Sequence, residues 1–266
     1  YPNMSISVAT IIIPCIKNNN ILYECLDKCS ELSSKIDIIV VTEDVIPVNN
    51  KYKNVKFINV GNVNMSIKRN IAVSKSQTEY VAFIDSDATP KNNQWINNAI
   101  QEFESDSEIG MVGGPELSPE KQSKSEKWVG LASQSYLITG SHCFRKKLSP
   151  RQFYSEMSAC NLIMLKEDYC AIGGMDDDLY IGEDQDLGRK VREDLNKKIL
   201  FSPKVIVYHK NREFFQFLIQ RYARGMAVAS SIRLYLSELF IKKAWFKIKE
   251  FRLELFVAPA FIVFLL

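Results

Sequence analysis

The sequence predicts an α/β fold: a mixed, mainly parallel sheet flanked by helices. Three observations predict it. Short Ile- and Val-rich runs, apolar at nearly every position, recur through the first hundred residues. Strands read this way when both faces of the sheet are covered. Segments with helical spacing of apolar residues separate these runs, as in strand–helix–strand units. Finally, 46% of the 266 residues are hydrophobic and 24% are charged, so a sizeable core can form and the composition is not that of a disordered chain.

The elements follow in order. SVATIIIP (7–14) is a buried strand closed by proline. Residues 20–34 place Ile21, Leu22, Cys25, Leu26, Cys29 and Leu32 at helical spacing. KIDIIVVTED (35–44) is a second apolar strand that ends in acid, and VKFINV (55–60) is a shorter one. SIKRNIAVSKS (66–76) reads as a helix with Ser66 as its N-cap. EYVAFIDSD (79–87) is the next strand, NNQWINNAIQEFES (92–105) the next helix, and IGMVGGP (109–115) closes the unit. Residues 116–155 are more polar, with a helix expected near 126–139 and a mobile basic loop at 140–152. Order resumes at SACNLIMLKEDYCAIGG (158–174), followed by an acidic segment and a strand at 198–209.

In open sheets of this class the ligand lies beyond the carboxyl ends of the strands. That rule places Asp44, Asp85 and Asp87 on one rim. On a strand, Asp85 and Asp87 would point to the same side. Two like charges about 6 Å apart repel by about 3 kcal/mol at an effective dielectric near 20. Either one carboxylate is protonated, or a cation lies nearby, or the pair is a solvated acidic turn. A divalent ion with oxygen ligands would remove the repulsion and would suit a diphosphate.

Four separated stretches give the chain a family resemblance. They are IIIPCIKNN (11–19), SIKRNIAVSKSQTEYVAFIDSDATP (66–90), IGGMDDDLYIGEDQDLGRKV (172–191) and VIVYHKNREFFQFLIQRYARG (205–225). In that order they resemble the opening strand, Arg-Asn helix and Asp-x-Asp strand, Gly-Gly…Glu-Asp-x-Asp stretch and terminal histidine of family 2 inverting glycosyltransferases. Met175 stands where the family usually has Phe. The resemblance covers about residues 7–225. It implies a GT-A, Rossmann-like fold, with a nucleotide-sugar-binding half at 1–115 and an acceptor-binding, catalytic half at 116–225. A C-terminal helical, membrane-proximal arm at 226–266 would follow.

The resemblance also implies roles. Asp87 would bind Mn2+ or Mg2+ directly, and Asp85 would contact the ion through water or hold the ribose. His209 would complete the metal site, although a lone histidine ending an apolar strand is more often a core or capping residue. The donor would be a nucleotide diphosphate sugar linked to UDP, GDP or dTDP. Pro14, Glu43, Asp44, Lys68, Arg69, Asp85, Ser86, Arg221 and Arg224 are the expected substrate contacts. The second strand lacks the family's Gly-Ser after its acids, which leaves the base unidentified; Glu43 is favoured as its reader. Lys68 and Arg69 read equally as a solvated helix face, and Arg221 and Arg224 as part of a basic stripe.

An inverting transfer needs a base opposite the leaving group, and a partly desolvated carboxylate serves. The resemblance assigns this to Asp184, with Glu183 orienting the acceptor. Asp186 reads as a helix N-terminal residue favoured by the dipole.

From Arg212 to Arg252 there are nine Lys or Arg against three Asp or Glu, while the whole chain carries only +3. That balance excludes nucleic acid as an evident partner and points the arm at an anionic surface. FIKKAWFKIKEFRLELFVAPAFIVFLL (240–266) mixes Lys with Trp and Phe, as a bilayer surface would require. Its apolar run from Leu255 to Leu266 is too short for a core of about 30 Å. The six cysteines read as reduced thiols, and no secretory leader is visible, so the expected location is the cytoplasmic face of a membrane. The acceptor would be a saccharide or lipid-linked saccharide. Two other classes remain. AFIDSDAT also resembles the Asp-x-Asp-x-Thr of haloacid-dehalogenase-type phosphatases, with Asp85 as nucleophile. A non-catalytic, transferase-like scaffold is the other, and intact acidic clusters disfavour it.

Overall fold

The computed structural model describes residues 7–32, 35–44, 50–52, 55–223 and 225. The chain divides into two compact units, one running to Leu117 and resuming over Leu148–His209, the other taking Ser118–Lys147 and residues from Lys210 onward. The expected C-terminal arm at 226–266 lies outside the described residues, as does Arg224. Among the described residues no helix is long and apolar enough to cross a membrane.

The first unit opens with β1 (Ala9–Pro14), buried at all positions. Next comes α1 (Asn20–Ser30), started by Asn19, whose side chain accepts from the amides of Ile21 and Leu22. Its buried stripe is Leu22, Cys25, Leu26 and Cys29, at the spacing one helix face demands. β2 (Ile36–Thr42) and β3 (Val55–Asn59) follow. α2 (Met65–Lys75) is capped by Asn64, which accepts from Ile67 N at 2.8 Å. Ser66, expected as the cap, is the second residue of the helix and donates to the carbonyl of Leu179 at 3.2 Å. Asn and Ser cap about equally well, so composition alone does not separate the two positions.

β4 (Tyr80–Ile84) is shorter than the expected strand: it stops before Asp85, and the chain turns into β5 (Ala88–Pro90). α3 (Trp95–Ser105), β6 (Ile109–Gly113) and β7 (Glu116–Leu117) come next. The second unit contributes α4 (Lys124–Ser133), opened by a capping box of Ser123 and Glu126, and α5 (Tyr136–Thr139). The expected mobile loop at 140–152 is instead a 3-10 turn over Gly140–Lys146 leading to β8 (Gln152–Tyr154), back in the first unit. β9 (Asn161–Leu165), α6 (Lys166–Ala171) and α7 (Glu183–Glu193) complete the acidic region. The strand expected at 198–209 is two strands, β10 (Lys198–Phe201) and β11 (Val207–His209), which join different sheets.

The main sheet has eight strands in the order β3-β2-β1-β4-β9-β6-β10-β8. β3, β2, β1 and β4 are mutually parallel, β9 runs antiparallel to β4 and β6, β10 is parallel to β6, and β8 closes the edge antiparallel. A second sheet, β5-β11-β7, has three strands. The core gathers Ile11, Ile13, Leu22, Leu26, Trp95 and Ile96, all buried. Each such side chain contributes about 1.5–3 kcal/mol through its removal from water. Helices thus cover a mixed, mainly parallel sheet, as the sequence led us to expect.

Candidate active site

The turn after β4 carries the first acidic pair. The amide of Ala88 donates to the Asp85 carbonyl at 3.0 Å, which tightens the turn. Asp85 and Asp87 therefore lie on a turn, and the same-face rule for strands does not govern them. Two contacts define their surroundings. Arg69 Nη2 donates to Asp85 Oδ1 at 2.9 Å. His209 Nε2 lies 3.3 Å from Asp87 Oδ1. His209 is set there by β11, whose register puts it opposite Ala88, the residue after Asp87. Burial raises the Asp85 carboxyl pKa; Arg69 opposes the rise, while the charges of Asp87 and Glu116 add to it. Glu116, on β7, is a buried carboxylate that the sequence reading passed over.

The second acidic cluster opens α7. Gly182 precedes it at φ 90, a left-handed conformation that suits glycine. Glu183, Asp184 and Asp186 occupy the first turn, where the helix dipole favours negative charge. Arg69 Nη1 donates to Glu183 Oε1 at 3.1 Å. Burial and the adjacent charge of Asp184 push the Glu183 carboxyl up, against the pull of Arg69. Asp184 accepts from the amide of Gln185 at 3.0 Å. Asp186 takes no part in this group: despite burial, bonds to Arg189 and Lys190 hold its carboxyl below the usual range.

One buried guanidinium thus joins both clusters. Arg69 is 3% exposed, and its two terminal nitrogens reach Asp85 and Glu183. Lys68 is wholly buried; its ammonium donates to the Cys15 carbonyl at 3.0 Å and to Glu43 Oε1 at 2.6 Å. Neither side chain forms the solvated helix face considered from sequence, since both are buried. Lys68 pairs with Glu43, and Arg69 with Asp85 and Glu183. Neither tie was foreseen, because each joins residues far apart in sequence.

The remaining residues distribute as follows. Pro14 ends β1 opposite Val41, at the rim. Asp44, exposed, accepts from the amide of Asn18 at 2.9 Å and so links the turns after β1 and β2. Ser86 lies half-buried between the two aspartates. Arg221 belongs to the second unit, with its guanidinium 4.8 Å from the Phe217 ring centre.

The loop before α7 hangs on α2. Asn70 donates to the Met175 carbonyl and to Asp177 Oδ1, both at 2.7 Å, and accepts from the Met175 amide at 3.1 Å. The Asn64 amide donates to the Asp177 carbonyl. Gly174, at φ 69, has no room for a Cβ, which would meet Asn70 Oδ1 at 2.6 Å.

Whether a divalent cation fits can be judged from the donors. Ligand atoms of Asp85, Cys160 and His209 lie within 4.8 Å of one another, and Asp87 touches His209. Carboxylates plus imidazole suit Mn2+, and Mg2+ is satisfied by carboxylates and substrate phosphates. The donor set fits such an ion. Cys160 was read from sequence only as one of six reduced thiols; its place just before β9, beside the acidic turn, is visible only in the fold.

A mixed sheet with β4 and β9 at its centre, an acidic turn after β4 and a second acidic helix start define a GT-A-like, nucleotide-sugar-transferase type of protein. The comparisons agree. The model of glycosyl transferase family 2 matches residues 10–163, and the chain belongs to that family. Among solved structures, the chain is similar to the mannosyltransferase PcManGT from Pyrobaculum calidifontis in complex with GDP-Man and Mn2+ (15% identity, 98% of this chain and 75% of that one, TM-score 0.62). It is also similar to GalNAc-T7 with UDP, GalNAc and Mn2+ (13% identity, TM-score 0.57), covering 79% of this chain and 45% of that one. S. aureus TarS 1-349 is a third (16% identity, TM-score 0.53), with 79% and 63% covered. The chain therefore spans less than half the length of GalNAc-T7. At these identities the likeness is one of fold. A search of curated proteins found no match.

Proposed function

We propose that the chain is a metal-dependent, inverting glycosyltransferase. It moves a hexosyl group from a nucleotide diphosphate sugar to a hydroxyl of a saccharide or lipid-linked saccharide. The observation that carries this reading is the Arg69 bridge, which ties the acidic turn at Asp85 to the helix start at Glu183–Asp184. Two acidic groups with different tasks need this proximity: one handles the diphosphate, the other the incoming alcohol. The fold neighbours that carry GDP-Man or UDP with Mn2+ support the donor class.

In this reading Asp85, Asp87 and His209 hold Mn2+ or Mg2+, which when bound would offset charge on the leaving diphosphate. Glu43, pinned by Lys68, and Asp44 stand beside the strand ends where the base would lie, with Pro14 and Ser86 at the same rim. Asp184 accepts the proton of the acceptor hydroxyl as its oxygen attacks the anomeric carbon. The bond from that carbon to the diphosphate oxygen breaks on the opposite face, so configuration inverts, and the nucleoside diphosphate leaves with the bonding pair. Glu183, held by Arg69, orients the acceptor or the backbone beside Asp184. The phosphatase alternative gains nothing from the structure: Asp85 Oδ1, the nucleophile it requires, is engaged by Arg69.

The lipid-linked acceptor and the membrane surface are part of the proposal. They rest on the basic, aromatic sequence at 240–266 and on the second unit, which exposes Trp128, Leu131, Leu137, Phe215 and Ile219. Arg221 and Arg224 belong to the same basic stretch, and a cytoplasmic-face location follows from the same reading.

The decisive experiment pairs two variants. Asp184→Asn is expected to keep metal-dependent donor binding by calorimetry while transfer falls by about 10²–10⁴-fold. Asp87→Ala is expected to lose that donor binding. Unchanged turnover in Asp184→Asn removes it as the base, and release of inorganic phosphate from simple esters replaces the transferase with a phosphatase.

A further inference from the structure

Cys160 lies where the metal reading leaves a position. β4 and β9 are antiparallel with Ile84 opposite Asn161. Asp85 follows Ile84 as β4 ends, and Cys160 precedes Asn161 as β9 begins, so both flank the last pair of the ladder. His209 arrives from the other sheet, opposite Ala88. The end of one ladder and the register of another thus bring these residues near one spot. The distances agree, since the Cys160 sulfur, an Asp85 carboxylate oxygen and a His209 ring nitrogen lie within 4.8 Å of one another. Donors around a tetrahedral ion with bonds of about 2.0–2.3 Å stand about 3.3–3.8 Å apart. Rotation of side chains by about 1 Å closes that gap, and Asp87 Oδ1 is already 3.3 Å from the histidine.

The side chain of the residue after Cys160 is firmly held. Asn161 accepts from the Trp95 indole at 2.9 Å and donates to the carbonyl of Val205 at 2.8 Å. Cys160 itself is 3% exposed, so its sulfur belongs to the floor beneath the acidic turn.

We propose that Cys160 supplies a thiolate to the cation held by Asp85, Asp87 and His209, making this a mixed oxygen, nitrogen and sulfur site that takes Zn2+ in preference to Mn2+. The inference rests on the metal-site reading above. Thiolate sulfur selects borderline and soft ions, whereas carboxylates alone favour Mg2+ and Mn2+. Binding releases the thiol proton to solvent, so charge balances as the metal–sulfur bond forms. Four protein donors of this kind match the tetrahedral preference of Zn2+. Zn2+ would then compete with the ion that supports transfer.

Co2+ is the probe, because thiolate ligation gives it a sulfur-to-cobalt charge-transfer band that oxygen and nitrogen ligands do not. The full chain, Cys160→Ser and Cys170→Ser are titrated with Co2+ under reducing, oxygen-free conditions. The band is expected in the parent and in Cys170→Ser, whose exposed thiol serves as the control for adventitious sulfur, and is expected to vanish in Cys160→Ser. Cys160→Ser should still bind Mn2+ with a nucleoside diphosphate, while its preference for Zn2+ over Mn2+ falls about tenfold or more. Cys160→Ala gives the same readout if serine is not tolerated. Saturable Co2+ binding without the band, or a band that survives in Cys160→Ser, overturns the thiol ligand and leaves the Asp85, Asp87 and His209 reading standing. No binding of Co2+, Zn2+ or Mn2+ by the parent chain, with Asp87→Ala indistinguishable from it, overturns both.

Discussion

The two acidic regions of the site are built by different means. The turn at Asp85–Asp87 is fixed by backbone: β4 ends at Ile84, β5 begins at Ala88, and β11 pairs with β5 beside His209. The approach to Glu183 and Asp184 contains no strand. It is suspended from α2 by side-chain bonds of Asn64, Ser66 and Asn70 and by the Arg69 link to Glu183. A sheet spreads its hold over many shared hydrogen bonds, whereas a few polar side chains concentrate it. The second region should therefore be the one that single substitutions displace.

The largest break comes from Arg69, which both regions share. Arg69→Met leaves two partly buried carboxylates without their cation, and removing one partner of a buried pair costs about 3–5 kcal/mol. Urea denaturation should show a loss of that size, and transfer should fall with it. A loss under about 1 kcal/mol would mean that Arg69 is not what joins the regions.

Asn70→Ala sharpens the contrast. It frees only the second region, and unsatisfied partners at such a site cost about 1–3 kcal/mol. Transfer should drop severalfold while metal-dependent donor binding by calorimetry stays near the parent value. Equal loss of both would show that α2 supports the first region as much as the second.

The smallest effect belongs to Asp186, in the first turn of α7. Its carboxyl is lowered in the folded state, so its contribution is complete above the ordinary carboxylate range near pH 4 and is lost as pH falls through the lowered value. Arg189 is half-exposed and the pair is screened, so Asp186→Asn should cost under about 1 kcal/mol at neutral pH. That difference should shrink in acid, as read from urea melts at stepped pH. A gap that widens in acid would contradict the assigned pairing.

Much of the scaffold was legible in the sequence because it depends on local pattern. β1, β2 and β4 are continuous apolar runs, and α1 and α3 carry their buried stripes at helical spacing. What escaped depends on contacts between distant residues. The run at 198–209 looks continuous, yet residues 202–206 carry the chain from one sheet to another. The burial of Lys68 is decided by a carboxylate 25 residues away, and that of Arg69 by partners 16 and 114 residues away. Both acidic clusters could be read as clusters; that a guanidinium binds them together could not.

The short strand β5 carries a constraint out of proportion to its length. It spans only Ala88–Pro90, and its pairing with β11 sets which side chain of residues 207–209 faces Asp87. Inserting or deleting a single residue there would shift β5 by one place against β11, so that Ala88 no longer stands opposite His209. Surface loops elsewhere can change length cheaply, but these three residues act as a ruler between the aspartate and the proline.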